Sequence, residues 1–276
     1  MDPFSIFWFI LILASLQPLL AQKVLEARRQ ALISRLERER KSRVILLVHR
    51  QERMSFLGIP VVNFIDIEDS EKVIRVIHNT PKNTAIDLVL HTPGGLVLAA
   101  VQIAEALANH PGETRVIVPH YAMSGGTLIA LAAKQIYMSP AATLGPLDPQ
   151  LGQYPAPSLL KVKSEKDINK IDDATLVLAD QAEKALQQIR THIQRIMRTH
   201  YSEKTAAHVA EVLTEGRWTH DYPIMYEEAQ QLGLNVSTEI PEGFVDLMDL
   251  YPQPVKRIPT VEYLPHHPRH RNGSSD

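Results

Sequence analysis

From Ser42 onward the chain alternates short apolar runs with segments of helical spacing, and this alternation limits the folds that it can adopt. The runs SRVILLVHR (42–50), VVNFIDI (61–67), AIDLVLH (85–91) and TRVIV (114–118) are typical of buried strands. Strands that alternate with helices are typical of a parallel sheet covered by helices. We therefore predict an α/β fold with a parallel sheet.

The segments between and after these strands carry apolar residues at helical spacing, or are rich in turn-forming or charged residues. Helices are predicted over Ser70–His78, Leu96–His110, Thr127–Ala133, Asp172–His200 and Glu203–Leu213. Ala141–Pro157 is rich in Pro and Gly and predicts an irregular segment. Lys161–Lys170 is charged and predicts a mobile loop.

Composition excludes several functional classes. The chain has no cysteine, which excludes disulfides, thiolate nucleophiles, Cys-ligated zinc and iron–sulfur clusters. Its net charge of -2 gives no overall basic excess of the kind that nucleic-acid binders carry, so no nucleic-acid partner is predicted. No HExxH or comparable spacing is present, so we predict neither a catalytic metal nor a cofactor.

Two glycine turns stand where a strand leads into a helix, at His91–Gly95 and at Ala122–Gly126. Such a junction presents unpaired backbone N–H groups at the start of a helix, where negative charge is stabilised. Ser124 lies at the tip of the second turn, in the position of a nucleophile. The N–H groups of Gly95 and Gly125 would then hold an oxyanion. A simple turn followed by an N-cap serine is the alternative.

The N-terminal segment is apolar and is followed by positive charge. Phe4–Leu20 has 17 positions without a charge, close to the shortest length for a membrane-spanning helix. Residues 22–53 carry ten Lys and Arg against four Glu, a net charge of +6. We expect a single-pass anchor. Positively charged segments next to a membrane span stay in the cytoplasm, so the rest of the chain should be cytoplasmic. The basic stretch should lie against membrane lipid. A secretory signal peptide is the rival interpretation, but Met1–Pro3 lacks the expected Lys or Arg.

Several segments together resemble a known family. They are LHTPGG (90–95), VPHYAMSGGTLIALAA (118–133), LGPLDPQLGQYP (144–155), GRWTHDYPI (216–224) and AQQLGL (229–234). They are similar to the serine dehydrogenase proteinases, Clp-fold enzymes of the crotonase-like superfamily that are related to signal peptide peptidase A and to the Clp protease proteolytic subunit. The resemblance implies a spiral of ββα units, serine peptidase chemistry, peptide or protein substrates and homo-oligomers. With an anchor at one end, we expect a stand-alone enzyme that needs no ATP and acts on substrates that include membrane proteins.

The uncharged N-terminal run, the basic stretch, the tail composition and this resemblance together divide the chain into four parts. They are a transmembrane anchor (1–21), a basic helical linker (22–43), a Clp/crotonase-like peptidase domain (44–252) and an extended or disordered tail (253–276).

The resemblance also assigns roles to particular residues. Ser124 matches the nucleophile, and Gly95 and Gly125 match the oxyanion donors, with Gly94 in support. The Clp subunit has its general base in an HQP-type segment, but the matching LGPLDP (144–149) has no His. The signal peptide peptidase branch uses a Ser–Lys dyad instead. Of the lysines in that window, Lys170 is ranked first and Lys166 second, ahead of Lys161 and Lys163.

Other side chains are secondary candidates for the site. Asp148 is a candidate for shaping the site or orienting a partner, and His120 lies four residues before Ser124. His220, with Asp221 beside it, offers an alternative triad.

Two functions on the same fold remain as alternatives to a peptidase. One is a crotonase-like enzyme that handles acyl-CoA thioesters, and the other is a membrane scaffold that binds peptides without cutting them.

Overall fold

The computed structural model describes residues 3–49, 54–56, 59–61 and 63–251 of the chain, without the side chains of residues 3, 5–16, 18–19 and 54–61. The predicted tail (253–276) lies outside the described residues.

Helices and short strands alternate along the described chain. The strands are β1 (Ser42–Val48), β2 (Met54–Phe56), β3 (Ile59–Val61), β4 (Ala85–His91), β5 (Thr114–Val118), β6 (Tyr121–Ala122), β7 (Gln135–Met138), β8 (Thr143–Leu144), β9 (Gln150–Leu151), β10 (Tyr154–Pro155) and β11 (Val236–Ser237). The α-helices are α1 (Pro3–Arg40), α2 (Ile67–Asn79), α3 (Val97–Ala108), α4 (Gly125–Ala130), α5 (Ala156–Glu165), α6 (Asp173–Met197), α7 (Glu203–Thr214), α8 (Tyr226–Gln231) and α9 (Asp246–Asp249). A 3₁₀ turn at Ile168–Lys170 lies between α5 and α6.

A five-stranded sheet in the order β1-β4-β5-β7-β11 forms the centre of the domain, and all of its neighbouring strands are parallel. In the register, Val44 lies beside Asp87 and Leu88 lies beside Val116. Strand β4 is buried from Ile86 to His91, as expected for a central strand covered on both faces. The predicted α/β fold with a parallel sheet is confirmed.

The apolar core lies between this sheet and the helices, and α3 contributes many of its side chains. This helix packs against α2, α4 and α6. Its fully buried side chains, which form one cluster with the inner side chains of the sheet, are Ala99, Ala100, Ile103, Ala104 and Leu107. Small residues on α3 let α4 approach closely, which brings the start of α4 to the carboxyl edge of the sheet. The edge that carries both glycine turns is therefore held by the core itself.

Two predicted elements were wrong. Of the run 61–67, residues 63–66 form no strand beyond a single bridge at Ile65, and α2 already begins at Ile67. Asp66 and Asp69 form a capping box, in which each side chain accepts a hydrogen bond from the other's backbone N–H. The charged segment that was expected to be a loop instead contains the end of α5 and the 3₁₀ turn. Leu159 of α5 packs against α6, which explains why this segment is helical.

The N-terminal helix α1 ends against the domain. Leu36 is 1% exposed and packs with Phe244 in a second apolar cluster. Arg40 Nε donates to the buried Asp87 carboxylate at 2.7 Å. Burial opposes the charge of Arg40, but the hydrogen bond and the attraction from Asp87 outweigh it and raise the pKa of this guanidinium. Among the helices that could be assessed from described residues, none is long and apolar enough to cross a membrane, so the predicted transmembrane helix is not supported.

Candidate active site

The two glycine turns lie side by side at the carboxyl edge of the parallel sheet, where ligands of open α/β sheets bind. Strand β4 leads into the first turn, and β6 leads into the second. Thr92 joins them, because its N–H donates to Tyr121 O at 3.1 Å and its carbonyl accepts from Met123 N at 3.0 Å. Residues about 30 positions apart in the sequence therefore form one surface.

Only glycine fits the first turn. Gly94 has a φ of +107°, and a Cβ added there would lie 2.7 Å from Ser124 Cβ. A Cβ on Gly95 would lie 2.2 Å from Ile65 O. Real Cβ atoms do not come this close to other atoms, so a larger residue would push the two turns apart.

Ser124 adopts a backbone conformation that is unfavourable for a residue with a side chain. Its φ is 48° and its ψ is -119°, directly before α4 begins at Gly125. Such strained conformations concentrate at functional sites. A serine on a sharp strand-to-helix turn has its hydroxyl exposed beside the first N–H of the helix, which is the geometry of a nucleophile elbow.

The amides of Gly95 and Gly125 supply two donors beside Ser124. Ile65 N donates to Gly94 O at 2.8 Å and Leu96 N donates to Ile65 O at 2.9 Å, a parallel bridge in which the Gly95 N–H points away from Ile65. Within the described part of the chain, neither the Gly95 nor the Gly125 amide has an acceptor. A Cβ on Gly125 would lie 3.6 Å from Gly95 N, so the two amides are close together.

A cavity of about 460 Å³ opens over Ser124 and these amides, within the usual size of ligand sites. Its lining includes apolar side chains and the face of α6 that carries Ala185, Gln188, Ile189 and His192. Val97, Leu128, Leu147 and Leu151 complete the apolar wall. An extended chain with an apolar side chain could therefore lie over Ser124.

An aspartate–histidine pair faces the same cavity. His220 Nδ1 donates to Asp148 Oδ1 at 2.9 Å, and Gln150 Nε2 donates to the other oxygen, Oδ2, at 2.7 Å. Asp148 is 2% exposed, whereas a third of the His220 side chain is exposed. The carboxylate fixes the tautomer in which Nδ1 carries the proton, so that Nε2 is an acceptor. This is the arrangement that a general base requires.

A second histidine lines the cavity but is paired differently. His192 Nδ1 accepts a hydrogen bond from Arg195 Nη2 at 3.1 Å. Arg195 in turn forms an ion pair with Glu105. His192 Nδ1 therefore accepts from a cation, whereas His220 Nδ1 donates to a carboxylate.

The structure brings together only some of the residues that the sequence predicted. Ser124, Gly95, Gly125 and Asp148 line one cavity, and Gly94 packs against Ser124. Lys166 and Lys170 are exposed and do not line it, because they follow α5 on the outer surface.

The predicted histidines are also redistributed. His120 is exposed and lies edge-on to the ring of His91, outside the cavity lining. His220 is present in the cavity, but its carboxylate partner is Asp148 rather than the neighbouring Asp221, which is exposed.

Sequence reasoning missed Gln150 and His192. Gln150 follows Asp148 by two residues in the segment LGPLDPQ, and this spacing is the available signal for it. His192 lies in the predicted helix, four residues after Gln188, so helical spacing places both on one face. Nothing in the sequence indicates that this face covers the turns.

Comparison with known proteins identifies the class. The family of ClpP-like SDH-type serine proteinases matches residues 1–276. Two uncharacterized proteins of Methanocaldococcus jannaschii are similar, at 51% identity over 99% of this chain and 98% of the relative, and at 45% identity over 96% and 91%. The chain belongs to the ClpP-like SDH-type serine proteinases, which confirms the resemblance noted in its sequence.

Solved structures similar to this chain include the membrane-bound stomatin-specific protease 1510-N, in a variant bound to a substrate peptide. The likeness covers 71% of this chain and 75% of that one, at 21% identity and a TM-score of 0.44.

Proposed function

We propose that the protein is a serine endopeptidase in which Ser124 is the nucleophile. The single observation that carries this is the shared cavity, in which strained Ser124 lies beside the acceptor-free amides of Gly95 and Gly125 and opposite the His220–Asp148 pair. Membership of a serine proteinase family supports the same reaction.

The proposed reaction follows the chemistry of these groups. The Ser124 hydroxyl attacks the scissile carbonyl and transfers its proton to His220 Nε2. The resulting oxyanion accepts hydrogen bonds from the Gly95 and Gly125 amides. His220 then passes the proton to the leaving amine, and water, activated by the same imidazole, releases the acyl group from Ser124.

We propose His220 as the general base in place of the predicted Lys170 or Lys166. A base must come within hydrogen-bond reach of the serine hydroxyl, directly or through one water. His220 faces the Ser124 cavity with a fixed tautomer, whereas both lysines are exposed on the outer surface.

Active-site labelling tests the nucleophile. The wild type is expected to react with a fluorophosphonate probe and to cleave an unfolded protein without added nucleotide, and Ser124→Ala is expected to do neither. Ser164→Ala removes an exposed hydroxyl on α5 and is the matched control. Labelling that persists in Ser124→Ala, or acyl-CoA turnover that survives it, would contradict the assignment.

We further propose that the enzyme works beside a membrane with its catalytic domain in the cytoplasm. The support comes from the uncharged run of residues 4–20 and the +6 segment that follows. Fractionation of cells should place the full chain with membranes, and deletion of residues 1–21 should release it. Recovery of the full chain in the supernatant would contradict this location.

We also propose that the peptidase assembles as a homo-oligomer, as the family resemblance implies. Light scattering during size-exclusion chromatography is expected to give a multiple of the 31.0 kDa chain mass, and a monomer mass would contradict it.

A further inference from the structure

Thr92 lies in the first glycine turn, against the second, and is completely buried. Its backbone bonds to Tyr121 and Met123 hold the approach to Ser124. A Cβ on Gly126 would lie 2.6 Å from Thr92 Cγ2, so the methyl group also packs against the start of α4. Any rotation of the Thr92 side chain would therefore displace atoms of both turns.

The Thr92 hydroxyl braces the first turn. Its Oγ1 accepts a hydrogen bond from the Gly94 N–H at 3.2 Å. The same oxygen lies 2.9 Å from His49 Nδ1, to which the hydroxyl donates when the ring is neutral. The hydroxyl also lies 3.4 Å from Gly94 O, a second acceptor for its single proton, but His49 Nδ1 is the nearer one. These contacts together fix the rotamer of Thr92. The bond to Gly94 N–H holds the Pro93–Gly94 peptide, and the next peptide, which carries the Gly95 N–H, is held by Ile65 N at Gly94 O (2.8 Å).

His49 in turn is held by a carboxylate on the other side. His49 Nε2 donates to Asp69 Oδ2 at 3.1 Å, and the imidazole is 9% exposed. Asp69 is itself fixed by the capping box at the start of α2. The backbone N–H of His49 also donates to His91 O at 2.7 Å, so the ring is attached to the end of β4.

We propose that Asp69, His49 and Thr92 form a positioning relay that aims the Gly95 amide at the oxyanion. The inference rests on the proposed peptidase function and deepens it, since the relay touches neither substrate nor Ser124. Oxyanion donors act only if they are held in place before the reaction. Gly94 and Gly95 have no side chains of their own to fix that orientation, so the Thr92 hydroxyl, through the Gly94 N–H, adds to the constraint that Ile65 N places on Gly94 O.

The test compares two substitutions at Thr92. Thr92→Val keeps the shape and removes the hydroxyl, whereas Thr92→Ser keeps the hydroxyl. Loss of a whole oxyanion donor costs about 10²–10³-fold in kcat, so misdirection of one donor by Thr92→Val is expected to cost about 10–100-fold. The affinity for a peptide boronate should fall by the same factor, with KM within about twofold. Thr92→Ser should stay within about threefold of the wild type in every measurement.

A double substitution tests the connection to His49. His49→Leu is expected to lower kcat in the same direction as Thr92→Val, and the pair together should be no worse than Thr92→Val alone, within about twofold. Peptide binding by Ser124→Ala should not change when Thr92→Val is added to it. Independent, multiplying effects of the two substitutions would overturn the relay.

The outcomes separate this inference from the proposed function. If Ser124→Ala abolishes labelling but Thr92→Val has the kcat and boronate affinity of Thr92→Ser, the relay is overturned and the peptidase stands. A fall in melting temperature without a fall in kcat would likewise reduce Thr92 to a structural role. If labelling survives in Ser124→Ala, the proposed function fails and the relay with it.

Discussion

The carboxyl edge of the sheet and the charged segment Lys161–Lys170 both contain predicted catalytic residues. The two regions differ in the burial and hydrogen bonding of those residues. At the sheet edge, Asp148 and Thr92 are buried and each has at least two hydrogen-bond partners. The lysines of the charged segment are all exposed, and the ion pairs of Lys161 and Lys163 lie on the surface. Of these two regions, only the sheet edge therefore holds its polar candidate side chains in a fixed geometry.

This difference bears on how a base is built. A lysine acts as a base near neutral pH only when burial lowers its pKa, because the free ammonium is almost fully protonated there. A histidine titrates near neutral pH without such help and needs only orientation, which Asp148 provides to His220. Both its chemistry and its position therefore favour His220 over the lysines as the general base.

The largest expected effect separates the two regions directly. His220→Ala should lower kcat/KM by about 10²–10⁴-fold, the usual contribution of a general base, while Lys166→Ala combined with Lys170→Ala should stay within about twofold. Initial rates with a fluorogenic peptide measure both. The opposite ranking would restore the Ser–Lys dyad. His192→Asn tests the other histidine of the cavity. Its loss of kcat/KM should be at least about tenfold smaller than that of His220→Ala.

The next effect tests the close contact of the first turn. Gly95→Ala would place a Cβ against Ile65 O, so the amide must move and kcat should fall by about 10²–10³-fold. Gly152→Ala is the matched control, because Gly152 also has a positive φ (+65°) but no atom within 4 Å of an added Cβ. The control should lose a little stability and keep its activity. Equal activity of both variants would exclude Gly95 as an oxyanion donor.

A smaller effect is expected from the group that orients the base. Asp148→Asn keeps the size of the side chain but brings an amide N–H against either His220 or Gln150, so kcat should fall by about 10–100-fold. Asp148→Asn should cost almost nothing in a His220→Ala background, because the two residues act as one unit. Additive losses would show that Asp148 acts independently of His220.

Local pattern was enough to predict the parallel sheet, the long helices and the two turns. Apolar runs and helical spacing directly indicate which faces are buried. Gly–Gly after a strand indicates a tight turn with no room for a side chain. Ser124, Gly95 and Gly125 follow from these patterns because each lies within a few residues of a strand end. The strand predicted over residues 61–67 failed because a capping box at Asp66 outweighed its apolar content.

The proposed base, His220, could not be predicted in the same way, because its position depends on contacts between distant segments. His220 and Asp148 are 72 residues apart, and His49 and Thr92 are 43 apart. Sequence order favours Asp221 as the partner of His220, but the chain direction after His220 carries Asp221 to the surface. The first pairing depends on backbone bonds of residues 144 and 147 to residues 224 and 213, and the second on β1 lying beside β4. One sequence gives no register for either.

The smallest effect concerns His200, which follows α6 and contacts the turn that follows α4. Burial lowers the pKa of His200, and its Nε2 lies 3.1 Å from Ala132 O. Because the unfolded chain binds the proton more tightly, this group stabilises the fold above about pH 6.5, and the contribution is lost as the pH falls through the lowered folded-state value. His200→Gln keeps a donor without a titrating group, so its melting temperature should fall less between pH 7.5 and 5 than that of the wild type. If the pH–activity profile of His200→Gln nevertheless matches that of the wild type, groups at the sheet edge, and not unfolding, cause the pH dependence of catalysis. A profile that flattens with His200→Gln would assign that dependence to folding instead.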